Sequence, residues 1–274
     1  MKRPWRLVWI LSLLLLWLFC SGTAQAGMLS DRLSQFPDWH EKPLSQPAKD
    51  EDLFYPDWFD GNWTVTTTLV DMVAPLAPDI VTPGFEGNRQ FLNQPITCPI
   101  RFVKLAVPRV QSLLSPIFRN KSPQVVSDRA FNGESLTKAY LGDQAILAVK
   151  VDPTNPNRQI TLFRSDRQLV STVIARATET PDPDRFITTE VFQQEFLGAP
   201  EIYFNEVENT TAYTHHATVE SPETPEIVAD QVTAIYLSPQ DPHYFEAIDP
   251  KSLFGEPRPV ALYRYRLEFR RAAG

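Results

Sequence analysis

Alternation of apolar and polar residues near the start of the chain predicts a first long β-strand. The alternation begins at Gly61-Asn62-Trp63, after a loop that contains Pro56 and Asp57. Successive side chains of a strand point to opposite faces of the sheet. One face would therefore carry Trp63, Val65, Thr67 and Leu69. We interpret this segment as the first strand of a closed antiparallel sheet, with Trp63 filling one end.

The same kind of pattern predicts further strands along the rest of the chain. We expect them at 96–107, 124–131, 145–152, 159–164, 168–178, 201–208, 212–220, 227–237 and 260–270. In the last of these, the aromatic and apolar positions Tyr263, Tyr265, Leu267 and Phe269 would form a buried face. Many strands without a regular alternation of strand and helix indicate an all-β antiparallel barrel or sandwich. We favour a barrel because closure removes exposed strand edges.

Two segments carry signals of short helices. In 133–142, apolar residues recur at spacings of three and four, and a glycine ends the segment. In 188–197, Thr188 or Thr189 would cap the N-terminus, and Gly198 would end the helix. We therefore predict one short helix from each segment.

The connection at 71–93 is long for a hairpin loop and is rich in proline and glycine. Its apolar residues, among them Met72, Ile80 and Phe85, argue against disorder. Two interpretations stay open at this point. The segment is either a folded lid over one barrel end or a loop that wraps over the surface.

The first residues of the chain carry the signals of protein export. Lys2, Arg3 and Arg6 precede an apolar run at 7–20, and Ala24-Gln25-Ala26 matches a small-residue cleavage pattern. The run is shorter than the roughly 20 apolar residues of a membrane helix. We predict a secretory signal peptide at 1–26, an N-terminal arm at 27–54 and a single β-barrel domain at 55–274.

The charge and the cysteine content of the chain argue against one class of partner and against one source of stability. The chain has a net charge of −7, and the predicted signal peptide contributes only basic charges. An acidic mature chain argues against nucleic acid as a partner. Cys98 would be the one cysteine left after cleavage, so an internal disulfide is excluded.

Searches for catalytic and metal-binding patterns give little. His215 and His216 are adjacent on a predicted strand, so they would point to opposite faces. Cys98 has no nucleophile signature around it, and burial in the core is the favoured interpretation. Glu206 and Glu208 share a strand face, but the acidic residues near them favour a solvated acidic edge. We predict no catalytic residue, no metal site and no cofactor.

The interior of the predicted barrel remains as a place for a ligand. Small antiparallel barrels are filled by side chains or hold one small molecule. The candidate ligand-binding residues are Trp63, Val65, Leu69, Phe85, Arg89, Tyr213, Tyr263 and Tyr265. The alternative is that the aromatic and apolar members of this set simply pack a core.

The start of the first strand, Gly61-Asn62-Trp63, resembles the Gly-x-Trp motif of lipocalins and the wider calycin group. The resemblance implies a lipocalin-like antiparallel barrel of about eight to ten strands with one or two short helices. In that family a late-strand arginine packs across the tryptophan, which here implies Arg264, Arg266 or Arg270. The chain is longer than a plain lipocalin and lacks the family's disulfides.

A second resemblance covers nearly the whole mature chain. The runs that carry it are 55–58 (YPDW), 83–89 (PGFEGNR), 128–133 (DRAFNG), 151–153 (VDP), 155–159 (NPNRQ) and 261–267 (ALYRYRL). They are similar to an uncharacterised family of cyanobacterial and plastid lumen proteins. The resemblance implies a periplasmic or thylakoid-lumen location and supplies no activity.

Three hypotheses about function follow, from different classes. The first is a lipocalin-like protein that binds a small apolar molecule such as a pigment, quinone or lipid. The second is an assembly or interaction factor for membrane protein complexes, acting through exposed loop residues such as Phe85, Glu86 and Arg89. The third is an enzyme on the same scaffold, which would need His215, His216 or Glu206 turned inward. The sequence does not indicate an oligomeric state.

Overall fold

Nearly all strands of the protein belong to one curled antiparallel sheet. The computed structural model describes residues 27–39, 46–48, 51–82, 84–105, 123–164, 166–198, 203–250, 252 and 255–272. The strands are β1 (Gln46–Pro47), β2 (Phe54–Tyr55), β3 (Gly61–Val73), β4 (Pro95–Leu105), β5 (Gln124–Ser127), β6 (Ile146–Asp152), β7 (Asn155–Phe163), β8 (Gln168–Asp182), β9 (Arg185–Leu197), β10 (Tyr203–His215), β11 (Ile227–Leu237) and β12 (Ala261–Arg271). The helices are α1 (Met28–Ser34), α2 (Phe85–Asn88) and α3 (Arg129–Leu141), with 3-10 helices at Asp57–Phe59, Arg89–Phe91 and Tyr244–Ala247.

The strand order makes the sheet a curled half-barrel. Eleven strands follow one another as β2-β5-β4-β3-β12-β11-β10-β9-β8-β7-β6, and β1 pairs with β8. Among the residues that the structure describes, no ladder joins the outer strands β2 and β6. The all-β, antiparallel, lipocalin-like prediction is confirmed, in the form of a half-barrel.

One end of the half-barrel is closed by aromatic side chains, as the pattern of β3 predicts. Trp63, Val65, Thr67 and Leu69 all point to the buried, concave face. Trp63, Val65, Phe59, Phe102, Val125, Phe186, Tyr213, Ile227, Ala229 and Phe269 form one buried cluster, which we call the closed end. Trp63 is fully buried, and its indole nitrogen donates to the Phe59 carbonyl at 2.7 Å.

Helix α3 spans the open side of the half-barrel. It contacts β4, β6 and β7, so it bridges strands that lie far apart in the sheet. Arg129, at its first turn, bonds Glu190 on β9. A Cβ atom at Gly133 would lie 2.7 Å from Nε2 of Gln159 on β7, which shows how closely the helix approaches that strand. The outer strand β6 is thus contacted by a helix rather than by another strand.

Side-chain contacts between α3 and β4 fix the helix in place. Asp128 caps the helix by accepting from the Phe131 amide at 3.2 Å, and it also accepts from Arg101 Nε at 2.9 Å. The Arg101 guanidinium lies 4.4 Å from the centre of the Phe131 ring. Asn132 accepts from the Arg101 amide and donates to its carbonyl. Most of the run 128–133 therefore docks this helix.

The first described residues cover the outer, convex face of the sheet. Leu33 of α1 and Trp39 pack with Val232, Ala234, Tyr236 and Leu262 on β11 and β12. Arg32 of α1 forms an ion pair with the fully buried Glu208 of β10, with 3.0 Å between Nη2 and Oε2. Trp39 thus ties this segment to the domain.

The segment after β3 folds against the end of the sheet distal to Trp63. Leu76 and Ile80 pack with Leu237, Ala247 and Val260. Phe85 of α2 packs against Leu69, Met72, Ala261 and Tyr263. Of the two interpretations of 71–93, the folded lid over one end of the sheet agrees with these contacts.

The prediction of a helix at 188–197 is wrong. The segment belongs to β9, which pairs with β8 on one side and β10 on the other. β-Branched and aromatic residues such as Thr188, Val191 and Phe192 fit a pleated surface well, and the two ladders outweigh the local cap signals. The predicted strands at 201–208 and 212–220 are also wrong in their bounds, because one strand, β10, covers 203–215. The predicted strand at 124–131 ends at Ser127, where α3 follows.

Two further findings concern the chain as a whole. The predicted signal peptide lies outside the described residues. In the part of the chain that the structure describes, no helix is both long enough and apolar enough to cross a membrane.

Candidate functional site on the concave face

The eight predicted ligand-binding residues separate into three groups. Trp63, Val65 and Tyr213 belong to the closed end. Leu69, Phe85 and Tyr263 are buried in a second cluster, against which Tyr265 packs. Arg89 lies outside, in an exposed ion pair with Glu86 at 2.9 Å. The structure thus brings seven of the eight to the closed end or to the second cluster, and Tyr265 alone of those seven stays half-buried.

The arginine that packs across Trp63 is Arg271, so the choice among Arg264, Arg266 and Arg270 is wrong. The Arg271 guanidinium lies 3.9 Å from the centre of the Trp63 ring. It also donates to the carbonyl oxygens of Asp60 and Trp58, at 2.6 and 3.3 Å. β12 reaches Arg271, whose direct partner across the ladder is Trp63. Arg264 and Arg270 belong to other pairs, with Asp71 and Thr64.

A cluster of buried charges lies beside the concave face. Glu190 of β9 accepts from Arg129 Nη2 at 2.9 Å and forms an ion pair with Arg176 Nη2 at 3.0 Å. Arg129 also bonds Asp52 at 3.1 Å. Burial of Arg129 opposes its charged form, but Glu190, Tyr55 and Asp52 outweigh this effect and raise its pKa. These charges neutralise one another and hold α3 against β9.

Between the closed end and the opposite rim, the inner face is accessible to solvent. The half-buried residues here point inward on four adjacent strands, and they are Phe192, Asn209, Gln231, Thr233, Ile235, Tyr265 and Leu267. We call this set the concave floor. Inner residues at the closed end are buried, whereas these seven retain accessible surface.

Polar groups on the floor form one directed chain of hydrogen bonds. The Thr211 hydroxyl donates to the side-chain oxygen Oε1 of Gln231 at 3.1 Å, and the side-chain nitrogen Nε2 of Gln231 donates to the Thr233 hydroxyl at 3.2 Å. The Thr233 hydroxyl then donates to the side-chain oxygen Oδ1 of Asn209 at 2.7 Å. Each donor is directed towards Asn209. The chain therefore ends at the side-chain oxygen of Asn209, and the side-chain nitrogen of Asn209 donates to no described residue.

Helix α3 faces the floor from the open side. Tyr140, near its C-terminal end, packs edge-on against Phe91, with 5.3 Å between ring centres. Burial raises the pKa of Tyr140 and also that of Tyr265. Both hydroxyls therefore stay protonated at neutral pH and can donate hydrogen bonds.

A separate cavity of about 400 Å³ lies beneath the N-terminal arm. Its lining includes Leu29, Leu53 and Phe54 together with the charged residues Arg176 and Glu179. Arg176 also belongs to the buried charge cluster, so the cavity adjoins that cluster from outside. It is not the interior cavity that the sequence predicts.

The acidic edge predicted around Glu206 and Glu208 is wrong at Glu208. This residue is fully buried, and it accepts from Arg32, Trp39, Thr210 and Tyr236. The arm covers it, which the position of Glu208 on a strand could not reveal.

The residues considered for metal binding or catalysis have other contacts. Within the described part of the chain, no group of three or more potential ligands could hold a metal ion. His215 stacks on Trp58 with 5.0 Å between ring centres, and its Nδ1 lies 3.1 Å from Asp184. Glu206 pairs across the ladder with Tyr236, on the convex face.

Comparison with known protein families assigns the chain to a family. Residues 47–273 match a family described as a domain of unknown function, DUF6816. The chain belongs to this family. Comparisons with curated proteins and with solved structures give no match. The DUF6816 match begins at Pro47, so it includes the half-barrel and α3 and leaves out α1 and Trp39.

The polar residues on the floor and in the charge cluster have no motif in the sequence that indicates a site. Asn209, Gln231 and Thr233 come together only through the registers of β10 and β11. Arg129 and Glu190 lie 61 residues apart. The one available signal is alternation, which places Gln231 and Thr233 on one strand face without indicating which face is concave.

Proposed function

We propose that this DUF6816 protein binds a small, largely apolar molecule with a polar group on the concave floor. The observation that carries the proposal is the accessible floor itself. It combines the apolar side chains of Phe192, Ile235 and Leu267 with the amide and hydroxyl groups of Asn209 and Tyr265. Ligand sites commonly pair apolar walls with a few polar groups that orient the ligand.

The ligand proposed for this floor is electrically neutral. The nearest charged groups, Glu190, Arg129 and Arg176, are bonded to one another. A charged ligand would lose hydration without gaining an unpaired counter-charge, which is costly in a partly buried site. Pigments, quinones and uncharged lipids fit this requirement.

The proposed location is the periplasm or the thylakoid lumen. Its support is the export signal at 1–26 and the resemblance of short runs such as 128–133 to lumen proteins. The acidic surface is compatible with either compartment. Fractionation of the native host with an antibody against the protein would place it.

The test is to purify the protein from its native host without denaturation, and to record its visible absorption and native mass. We expect a discrete added mass that organic solvent extracts. Thr233→Trp should abolish it, because a bulky indole would occupy the floor. Val70→Trp, on an exposed position of β3, serves as the matched control. A bare polypeptide mass for the wild-type protein would contradict the proposal.

A second candidate function has one observation in its favour. Val81 and Phe245 are 80% and 78% exposed. Their chain neighbours Ile80 and Tyr244 pack with the buried residues Leu237, Ala247 and Val260. Contiguous exposed apolar patches, rather than single apolar side chains, are typical of interaction sites, and the second candidate requires these two residues to belong to such a patch. The sequence predicts an exposed Phe85 as a contact residue, but Phe85 is buried. We therefore infer that an interaction factor would contact its partner through Val81 and Phe245 instead. Pull-down from membrane fractions is the next step if the native mass is bare.

A further inference from the structure

We infer that the ligand on the concave floor carries a hydrogen-bond acceptor, as in a ketone, ester or quinone, and that Asn209 and Tyr265 donate to it. This inference rests on the function proposed above. It concerns specificity, because it separates carbonyl-bearing molecules from pure hydrocarbons and from amines.

The orientation of the Asn209 amide is the first support. Its carbonyl oxygen already accepts from Thr233 at 2.7 Å. Thr233 is itself held by Gln231, and Gln231 by Thr211, with every donor directed the same way. A flipped Asn209 amide would make the Thr233 hydroxyl accept from both Gln231 and Asn209, and the Thr233 proton would lose the acceptor that it has here. The group that Asn209 presents to a ligand is therefore its NH₂ donor.

That NH₂ group is available to a ligand. Among the described residues, nothing accepts a hydrogen bond from the Asn209 nitrogen. It is also not among the polar atoms sealed from solvent without a partner. An accessible donor on a half-buried floor gains most from an acceptor that arrives with an apolar molecule.

Tyr265 provides a second donor on the same surface. Its ladder partner is Gln231, and the next residue of β11 on this face is Thr233, beside Asn209. No acceptor for its hydroxyl occurs in the ranges that the structure describes. Burial raises the pKa of Tyr265, with smaller contributions from Tyr140 and Tyr263, so the hydroxyl stays protonated. Two donors thus rise from one floor, two strand spacings and two residues apart, which places their Cα atoms about 12 Å from each other.

The surrounding charges exclude an amine as the preferred ligand. The carboxylate nearest to Asn209 is that of its ladder partner Glu190. Two guanidinium groups, those of Arg129 and Arg176, already bind it. An ammonium group would meet these cations and two donors rather than an acceptor.

The test uses tetramethyl-1,4-benzoquinone as probe and 1,2,4,5-tetramethylbenzene as the hydrocarbon control. The quinone has no free ring position that could react with the thiol of Cys98. Equilibrium dialysis would measure binding of both compounds to the exported chain. We expect the quinone to bind more tightly than the hydrocarbon. Tyr265→Phe should weaken quinone binding roughly 2- to 12-fold, the value of one hydrogen bond, and leave hydrocarbon binding unchanged.

Two variants complete the design. Asn209→Asp keeps the acceptor for Thr233 and removes the donor, so it should also weaken quinone binding selectively. Tyr244→Phe removes a hydroxyl from the 3-10 helix outside the floor and should change nothing. If Tyr265→Phe fails to fold, the wild-type preference and Asn209→Asp still decide.

The outcomes distinguish this inference from the proposed function. Equal binding of quinone and hydrocarbon, or unchanged quinone binding in both variants, overturns the inference and leaves a ligand-binding floor. A native ligand without any acceptor group has the same meaning. Failure of both probes to bind, together with a bare native mass, overturns both.

Discussion

Arg271 secures the closed end through several contacts at once. Its guanidinium covers the Trp63 ring and bonds the carbonyls that follow Asp57, while Glu226 accepts from it at 2.9 Å. The 3-10 helix at Asp57–Phe59 would otherwise leave its last carbonyls without these donors. A single residue near the C-terminus thus connects the first and last long strands with the loop before them.

Replacement of Arg271 should therefore destabilise the protein. We expect Arg271→Ala to lower the free energy of unfolding by about 2 kcal/mol, from the lost cation–π contact and the charged hydrogen bonds. Urea unfolding followed by tryptophan fluorescence would measure it. Arg266→Ala is the matched control, since Arg266 is exposed and bonds only Glu268 among the described residues. Equal losses in the two variants would contradict this role for Arg271.

Other short runs of the chain also have structural roles. In 128–133, Asp128 caps α3 and binds Arg101, while Asn132 bonds both backbone groups of Arg101. Trp58, in the run 55–58, donates to the Pro183 carbonyl and stacks on His215. These residues fix α3 and the loop at 55–58 against the sheet.

At the level of elements, the arm is fixed by one buried carboxylate. Glu208 accepts from the guanidinium of Arg32, the indole of Trp39 and the hydroxyls of Tyr236 and Thr210. A carboxylate with this many donors is well satisfied, but each donor depends on it. The arm therefore docks through a polar contact inside an apolar interface.

Glu208→Leu should release the arm. The variant leaves Arg32 buried without a counter-charge, so we expect the free energy of unfolding to fall by about 3 to 5 kcal/mol and the arm to be cleaved faster by proteases. The double variant Arg32→Met/Glu208→Leu should recover the part of the loss that comes from the unpaired guanidinium, while Trp39 and Tyr236 still lack Glu208 as an acceptor. Glu220→Gln, on an exposed residue, should stay within about 0.5 kcal/mol of wild type. Failure of the double variant to recover would show that the ion pair itself stabilises the domain.

The elements differ in how well the sequence predicts them. β3, β11 and β12 agree with prediction to within a few residues at each end, because their alternation is regular and one face is buried. β9 was mistaken for a helix because threonine and glycine give cap signals that do not depend on strand partners. β1 and β2 are two residues long and exist only through their partners β8 and β5.

The site is less predictable than the fold. The aromatic residues predicted as ligand contacts, such as Trp63 and Tyr213, fill the closed end, because large inward-facing rings also bury the most apolar surface in a core. The floor residues Asn209 and Thr233 are short polar side chains with no motif. Only strand register and curvature turn them into a surface, and neither can be read from one chain.

For the whole molecule, burial of tyrosines predicts alkaline sensitivity. Burial raises the pKa of Tyr55, Tyr213, Tyr236 and Tyr265 above the ordinary 10.0. Above that pH the unfolded chain loses these protons while the folded one retains them. Stability is therefore fully present below about pH 10 and falls above it, by up to about 1.4 kcal/mol per pH unit for each tyrosine.

Urea unfolding at several alkaline pH values, with tyrosinate absorbance recorded in parallel, would check this expectation. The four tyrosines should ionise together with unfolding rather than before it. Tyrosinate absorbance that rises fully while the fold persists would contradict the raised pKa values.

The seam covered by α3 sets the half-barrel apart from a sheet whose first and last strands pair. Widening a fully paired cylinder requires a row of main-chain bonds to break. Here the helix is attached to its neighbours through side chains of Arg101, Asn132, Arg129 and Tyr140, and no β-ladder holds it. A change in how α3 lies over this side would therefore break side-chain contacts and leave the ladders of the sheet intact.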